Sequence, residues 1–157
     1  MATTRSQLAL VAAAFYSWPA ECVILSPDGT IMVANGAWRR FGEANGAGAR
    51  CGPGTNYLQV THAAVASGDE TAEVALASLE AVLSGYAPRA QLNYPCHSPD
   101  EQRWFRLHAA MLPGRHEVLV VHEDISGLVL GKGKQAVSDV AAVPVSAPQP
   151  VVGNQGE

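Results

Sequence analysis

Charge is scarce in this sequence: 15% of its residues are Asp, Glu, Lys or Arg, against about 25% in a typical globular chain. The charge that exists leans acidic, with 14 Asp and Glu against 10 Lys and Arg, a net charge of −4. No basic stripe is present. Its densest basic spot is Trp38-Arg39-Arg40, too small to track a nucleic-acid backbone. A polybasic hold on an acidic membrane surface fails for the same reason.

Cysteine is also sparse. Cys22, Cys51 and Cys96 are odd in number and widely spaced, with no C-x-x-C pair. This argues against a disulfide framework and for a reducing, cytoplasmic setting. No apolar run approaches the roughly 18 residues that span a bilayer. The run at 8–15 follows Arg5 and imitates a signal peptide, but no small-x-small cleavage site succeeds it. It reads better as a first helix packed on the domain. The sequence lacks a nucleophile elbow, a P-loop, zinc-ligand spacing and a dinucleotide fingerprint. Nothing in it assembles a catalytic set, so a non-enzyme is expected. The glycines at 46–54 lack the Lys-Ser/Thr of a phosphate loop and read as a flexible loop.

What remains is a chain of 157 residues, 48% of them hydrophobic, enough for one domain with its own core. Leu8, Val11, Ala12 and Phe15 recur at helical spacing over 3–17, and Pro19 ends the run. Cys22 to Leu25 and Thr30 to Ala34 are β-prone. Between them, Ser26-Pro27-Asp28-Gly29 is a turn signal, so the two form a hairpin. Asn35 is a helix N-cap and nothing more on this reading. The helix it opens puts Trp38 and Phe41 on one face. Thr55 or Asn56 caps a short helix that Ser67-Gly68 breaks. Asp69 opens the clearest helix, to about Ser84, with Ala72, Ala75, Leu76, Leu79, Val82 and Leu83 as its apolar stripe.

Three strands follow, over 89–94, 102–111 and 116–122. Two strands at one end and three at the other predict an α+β domain: one antiparallel sheet of five with helices on one face. After Ser126 the composition shifts to a Pro-, Val-, Ser- and Gly-rich tail, read as disordered. The expected division is a helix over 1–18, a core over 19–126 and a flexible tail over 127–157.

Four segments then carry a resemblance. Residues 23–38 (VILSPDGTIMVANGAW), 54–58 (GTNYL), 94–99 with 103–105 (YPCHSP and RWF), and 120–126 (VVHEDIS) stand in order. Together they resemble the PAS domain family over its full core. The resemblance implies strand order 2-1-5-4-3. It also implies a bacterial sensory and signal-transduction role, without catalysis. The partners it implies are a second copy through the N-terminal helix and sheet, or a signalling protein such as a kinase or regulator. It further implies a site between sheet and helices for a small ligand. The closing Asp124 matches the family's relay residue. The charged exit helix of many relatives is replaced here by Gly127-Leu128-Val129-Leu130-Gly131. Asp124 therefore reads first as a cap or salt-bridge partner.

The candidate ligand-facing residues are Asn56, Tyr57, His62, Trp104, Phe105 and His108. Haem would need an axial ligand aimed into an apolar pocket. The long helix holds no His, which leaves His62 as the candidate; the competing reading is a surface polar residue. Photochemical flavin binding needs a positioned thiol, and Tyr57 stands near that place instead. Cys96 and His97 are adjacent on an extended segment, so they point to opposite faces and do not chelate one metal. Trp104 and Phe105 must likewise split across the sheet, one toward the helices and one outward. No cofactor is assigned. The alternative to a sensor is a ligand-free interaction and dimerisation adaptor with a filled core.

Overall fold

A computed structural model describes residues 4–97 and 99–131. Its elements are α1 (Arg5–Ser17), β1 (Glu21–Leu25), β2 (Ile31–Ala34), α2 (Gly36–Ala44), α3 (Tyr57–Ala66), α4 (Glu70–Leu83), β3 (Arg89–Pro95), β4 (Trp104–Met111), β5 (Val118–Asp124) and the single turn α5 (Ser126–Val129). The strands form one antiparallel sheet in the order β2-β1-β5-β4-β3. The α+β architecture and strand order are those expected. The disordered-tail reading, from 132 on, lies outside the described residues.

The boundaries follow from local chemistry. The turn after β1 is closed by Gly29 N–H donating to the Ser26 carbonyl at 2.9 Å. Gly29 has φ +84°, and a Cβ there would lie 2.6 Å from Leu58 Cγ, so the turn needs glycine twice over. Each main helix has a side-chain cap. Asn35 accepts from Trp38 N–H, Asn56 from Gln59 N–H and Asp69 from Ala72 N–H. The glycine-rich loop contains a 3₁₀ turn, Gly48–Cys51. It closes on α2 because Gly42 has no side chain; a Cβ there would lie 2.3 Å from Cys51 Sγ.

Asn35 does more than cap. It is fully buried. Its Oδ1 also accepts from Cys22 N–H at 3.0 Å, and its Nδ2 donates to the carbonyls of Trp18 and Ala20. The reading of it as a cap alone is too small.

The core lies between the sheet and α4. Val23, Leu25, Leu107, Val118, Val120, Leu79 and Val82 are all fully buried there. Each such side chain contributes about 1.5–3 kcal/mol through burial. Alternation along β4 sends Phe105, Leu107 and Ala109 inward and Trp104, Arg106 and His108 outward. The first helix departs from expectation. None of its residues is buried, and Leu8, Leu10 and Val11 are 60–70% exposed. Its C-terminal end borders an open groove on the sheet's outer face, with Val11, Phe15 and Trp18 opposite Cys22, Leu119 and Val121. Its apolar stripe is therefore left largely open to solvent.

Candidate ligand cavity

On the inner face, β5 ends its run of valines with His122. Val118, Val120 and His122 share that face by alternation. Ladder pairing sets Glu21 of β1 on one side of His122 and Leu107 of β4 on the other. Two tyrosines converge on the imidazole. Tyr57 opens α3, and its Oη lies 3.2 Å from Nε2. Tyr94 stands on β3, and its Oη lies 2.5 Å from Nδ1.

This Tyr57–His122–Tyr94 bridge separates two hollows. One, of about 210 Å³, lies under α2 and is lined by Glu21, Trp38, Phe41, Tyr57, Tyr94, Phe105 and His122. The other, of about 420 Å³, lies between α3, α4 and β3 and shares Tyr57, Tyr94 and His122. The first is walled by rings. Trp38 meets Tyr57 edge-on at 5.4 Å, Phe41 meets Phe105 at 5.5 Å, and Tyr94 stacks on Phe105 at 6.0 Å. Trp38 is fixed by its Nε1–H, which donates to the Cys51 carbonyl at 2.7 Å.

Burial controls the charge here. It lowers His122 to about 4, so the imidazole is neutral at pH 7. Burial also pushes both phenols well above their ordinary range. Glu21 is raised to about 7, chiefly by burial and further by the nearby Asp124 carboxyl, against a backbone hydrogen bond and the Arg103 charge. The site thus holds a neutral hydrogen-bonded chain and one carboxyl that titrates near neutrality.

Of the six residues picked out from the sequence, Tyr57 and Phe105 line the cavity. The other four do not. Asn56 is the half-buried cap of α3, its Nδ2 donating to the Asp28 carbonyl. His62 stands on the outer side of α3, 3.3 Å from Glu80, both more than half exposed. Trp104 faces outward and meets His97 edge-on at 5.8 Å. His108 also faces outward, 3.7 Å from Glu123. Asp124 caps the turn after β5, its Oδ1 accepting from Ser126 N–H at 2.8 Å. Glu21, Trp38, Phe41, Tyr94 and His122 were not picked out as cavity residues.

Haem does not fit these residues. His62 faces away from both hollows, and the histidine that does face them has both ring nitrogens engaged by tyrosines. Among the described residues no group of three or more His, Cys, Asp and Glu side chains is placed to hold a metal ion. Nor is any described helix long and apolar enough to cross a membrane.

Comparison with solved structures places the topology. The PAS domain of Bordetella pertussis BvgS superposes with a TM-score of 0.54 at 11% identity, covering 87% of this chain and 95% of that one. The PAS domain of a Colwellia psychrerythraea protein gives 0.50 at 17% identity, covering 75% and 96%. The fold is the PAS fold. An RNA-binding Light-Oxygen-Voltage receptor gives 0.55 at 18% identity, over 90% of this chain and 40% of that one. By sequence, the chain is 34% identical over 130 residues to an uncharacterized 104.1 kDa protein in the hypE 3′ region of Rhodobacter capsulatus. The match takes in 79% of this chain and spans 13% of that relative's length. No family model matches the chain.

Proposed function

We propose that this chain is a non-catalytic sensory PAS module of bacterial signal transduction, working in the cytoplasm. Its sensing part is the core over 19–126, with the helix over 1–18 and the tail over 127–157 as flanking segments. A small ligand enters the ring-walled hollow under α2. The signal leaves through a second copy of the chain or through a kinase or regulator. One observation carries this reading: the hollow of about 210 Å³ beside the Tyr57–His122–Tyr94 bridge, in which both imidazole nitrogens are engaged. A core built only for packing fills such space, because each void forfeits contacts. Asp124 is the proposed relay, since it lies two residues beyond His122 and caps the turn that leaves the domain.

A dimerisation adaptor is the second reading. The apolar groove between α1 and the outer sheet face, with Leu8, Leu10 and Val11 exposed, supports it. Native mass spectrometry of the purified chain, with an absorption spectrum of the same sample, separates the two. A mass above that of the bare chain, lost in Phe105→Trp where the added ring fills the hollow, supports the sensor. A bare dimer that no added ring compound shifts supports the adaptor.

A further inference from the structure

We propose that the hollow under α2 takes a small uncharged ring molecule that offers a hydrogen-bond acceptor to the tyrosine pair and a donor to Glu21. The proposal rests on the reading of this hollow as a ligand site and names the chemistry it selects.

The argument is a count of protons. Tyr57, Tyr94 and neutral His122 carry three hydrogen-bonding protons, two O–H and one N–H. They form two contacts, at Nε2 and Nδ1. Each contact uses one proton, so one tyrosine donates to the bare ring nitrogen and the other accepts from the N–H. The accepting tyrosine keeps its own O–H free. Were the ring protonated, both tyrosines would accept, and two O–H groups would be free. A surplus donor exists in either state, and both tyrosines line the hollow. Among the described residues neither hydroxyl makes another side-chain hydrogen bond. An unspent buried donor costs about 1–3 kcal/mol, so the hollow favours a molecule that offers it an acceptor.

Glu21 sets the second requirement. It is the ladder partner of His122, so its side chain stands next to the bridge on the same face. It lines the same hollow, and its carboxylate repels an anion there. A ligand that presents an acceptor beside an N–H or O–H satisfies both neighbours at once. A volume of about 210 Å³ falls below the roughly 300–1,000 Å³ of drug-sized sites and suits one ring or a fused pair. The surrounding aromatic walls favour a flat one.

The test uses the full chain labelled with ¹⁵N-histidine at pH 8, titrated separately with 2-pyridone, benzene and benzoate and followed by NMR. The expected result is that 2-pyridone binds at least about tenfold tighter than either of the others, the scale of one hydrogen bond gained. The ring nitrogens of His122 should then settle on one tautomer, and Glu21→Gln should recover about tenfold in benzoate affinity. Benzene binding as tightly as 2-pyridone would overturn the hydrogen-bond requirement while leaving the hollow a ligand site. Benzoate binding tightest would overturn the requirement for an uncharged ligand. A His122 signal indifferent to bound 2-pyridone would overturn the role of the bridge. If none of the three binds at millimolar concentration, the ligand-site reading itself falls, and this inference with it.

Discussion

The two faces of the sheet are made of the same five strands and do opposite work. The inner face is packed with Val23, Leu25, Leu107, Val118 and Val120, and its polar exceptions, Glu21 and His122, are set beside a hollow. The outer face carries Cys22, Trp104, Arg106, His108, Leu119 and Glu123 and borders an open groove under the end of α1. One face has a committed partner and the other has an open groove. In a β-strand this difference turns on register alone, since a shift of one residue would exchange the two sets.

The comparison breaks most sharply in the core. Leu107→Ala should cost about 2–5 kcal/mol in urea unfolding, because Leu107 is fully buried and its neighbours cannot close the space. Leu119→Ala, one strand over and facing the groove, should cost less than about 1.5 kcal/mol. Equal losses would mean that the outer face is covered.

Acid titration probes the polar exceptions. His122 falls from an ordinary 6.5 to about 4, so it binds a proton more readily unfolded than folded, and stability declines as pH drops from 6.5 toward 4. Glu21 is raised from 4.5 to about 7, so its contribution is full below 4.5 and is lost as pH rises toward 7. The two slopes oppose each other between about pH 4.5 and 6.5. The wild-type profile should therefore be flat in that window. Glu21→Gln should uncover the histidine slope, losing about 3 kcal/mol between pH 6.5 and 4. A Glu21→Gln profile as flat as the wild type would show that His122 is not held neutral.

Asn35→Ala should cost about 2 kcal/mol, since it removes a helix cap and leaves buried backbone groups unpaired. The smallest effect belongs to α1. Leu10→Glu should leave monomer stability within about 0.5 kcal/mol. Loss of a dimer in sedimentation would then assign the exposed apolar face of α1 to a second copy.

Much of the fold could be read from the sequence because local signals agreed. Ser26-Pro27-Asp28-Gly29 marked the hairpin, and Asn35, the pair Thr55 and Asn56, and Asp69 marked three helix starts, with Asn56 the cap in the structure. The alternation in 104–111 said that Trp104 and Phe105 diverge, and only the partner strands decide that Phe105 turns inward. The site was less legible. His62 and His108 drew notice as residue types, while their faces are set by helical and strand periods that turn both away from the hollow. His122 was missed although a signal existed. Val118 and Val120 are apolar at a spacing of two, and the next inward position is 122. Tyr94 and Glu21 carried no such local mark, because they reach His122 only through pairings β1–β5 and β3–β4–β5.

The side chain of Asn35 has two acceptor sites and two donor protons, and all four are in use. They hold both ends of the α1–β1 linker, Trp18 and Ala20, the second residue of β1 and the first turn of α2. Glu21 sits between two of those anchor points, Ala20 and Cys22. In mechanical terms the amide is a rivet through three plates. The end of the helix beside the outer groove and the strand whose first residue lines the inner hollow are thus tied to one buried amide, which lines neither space.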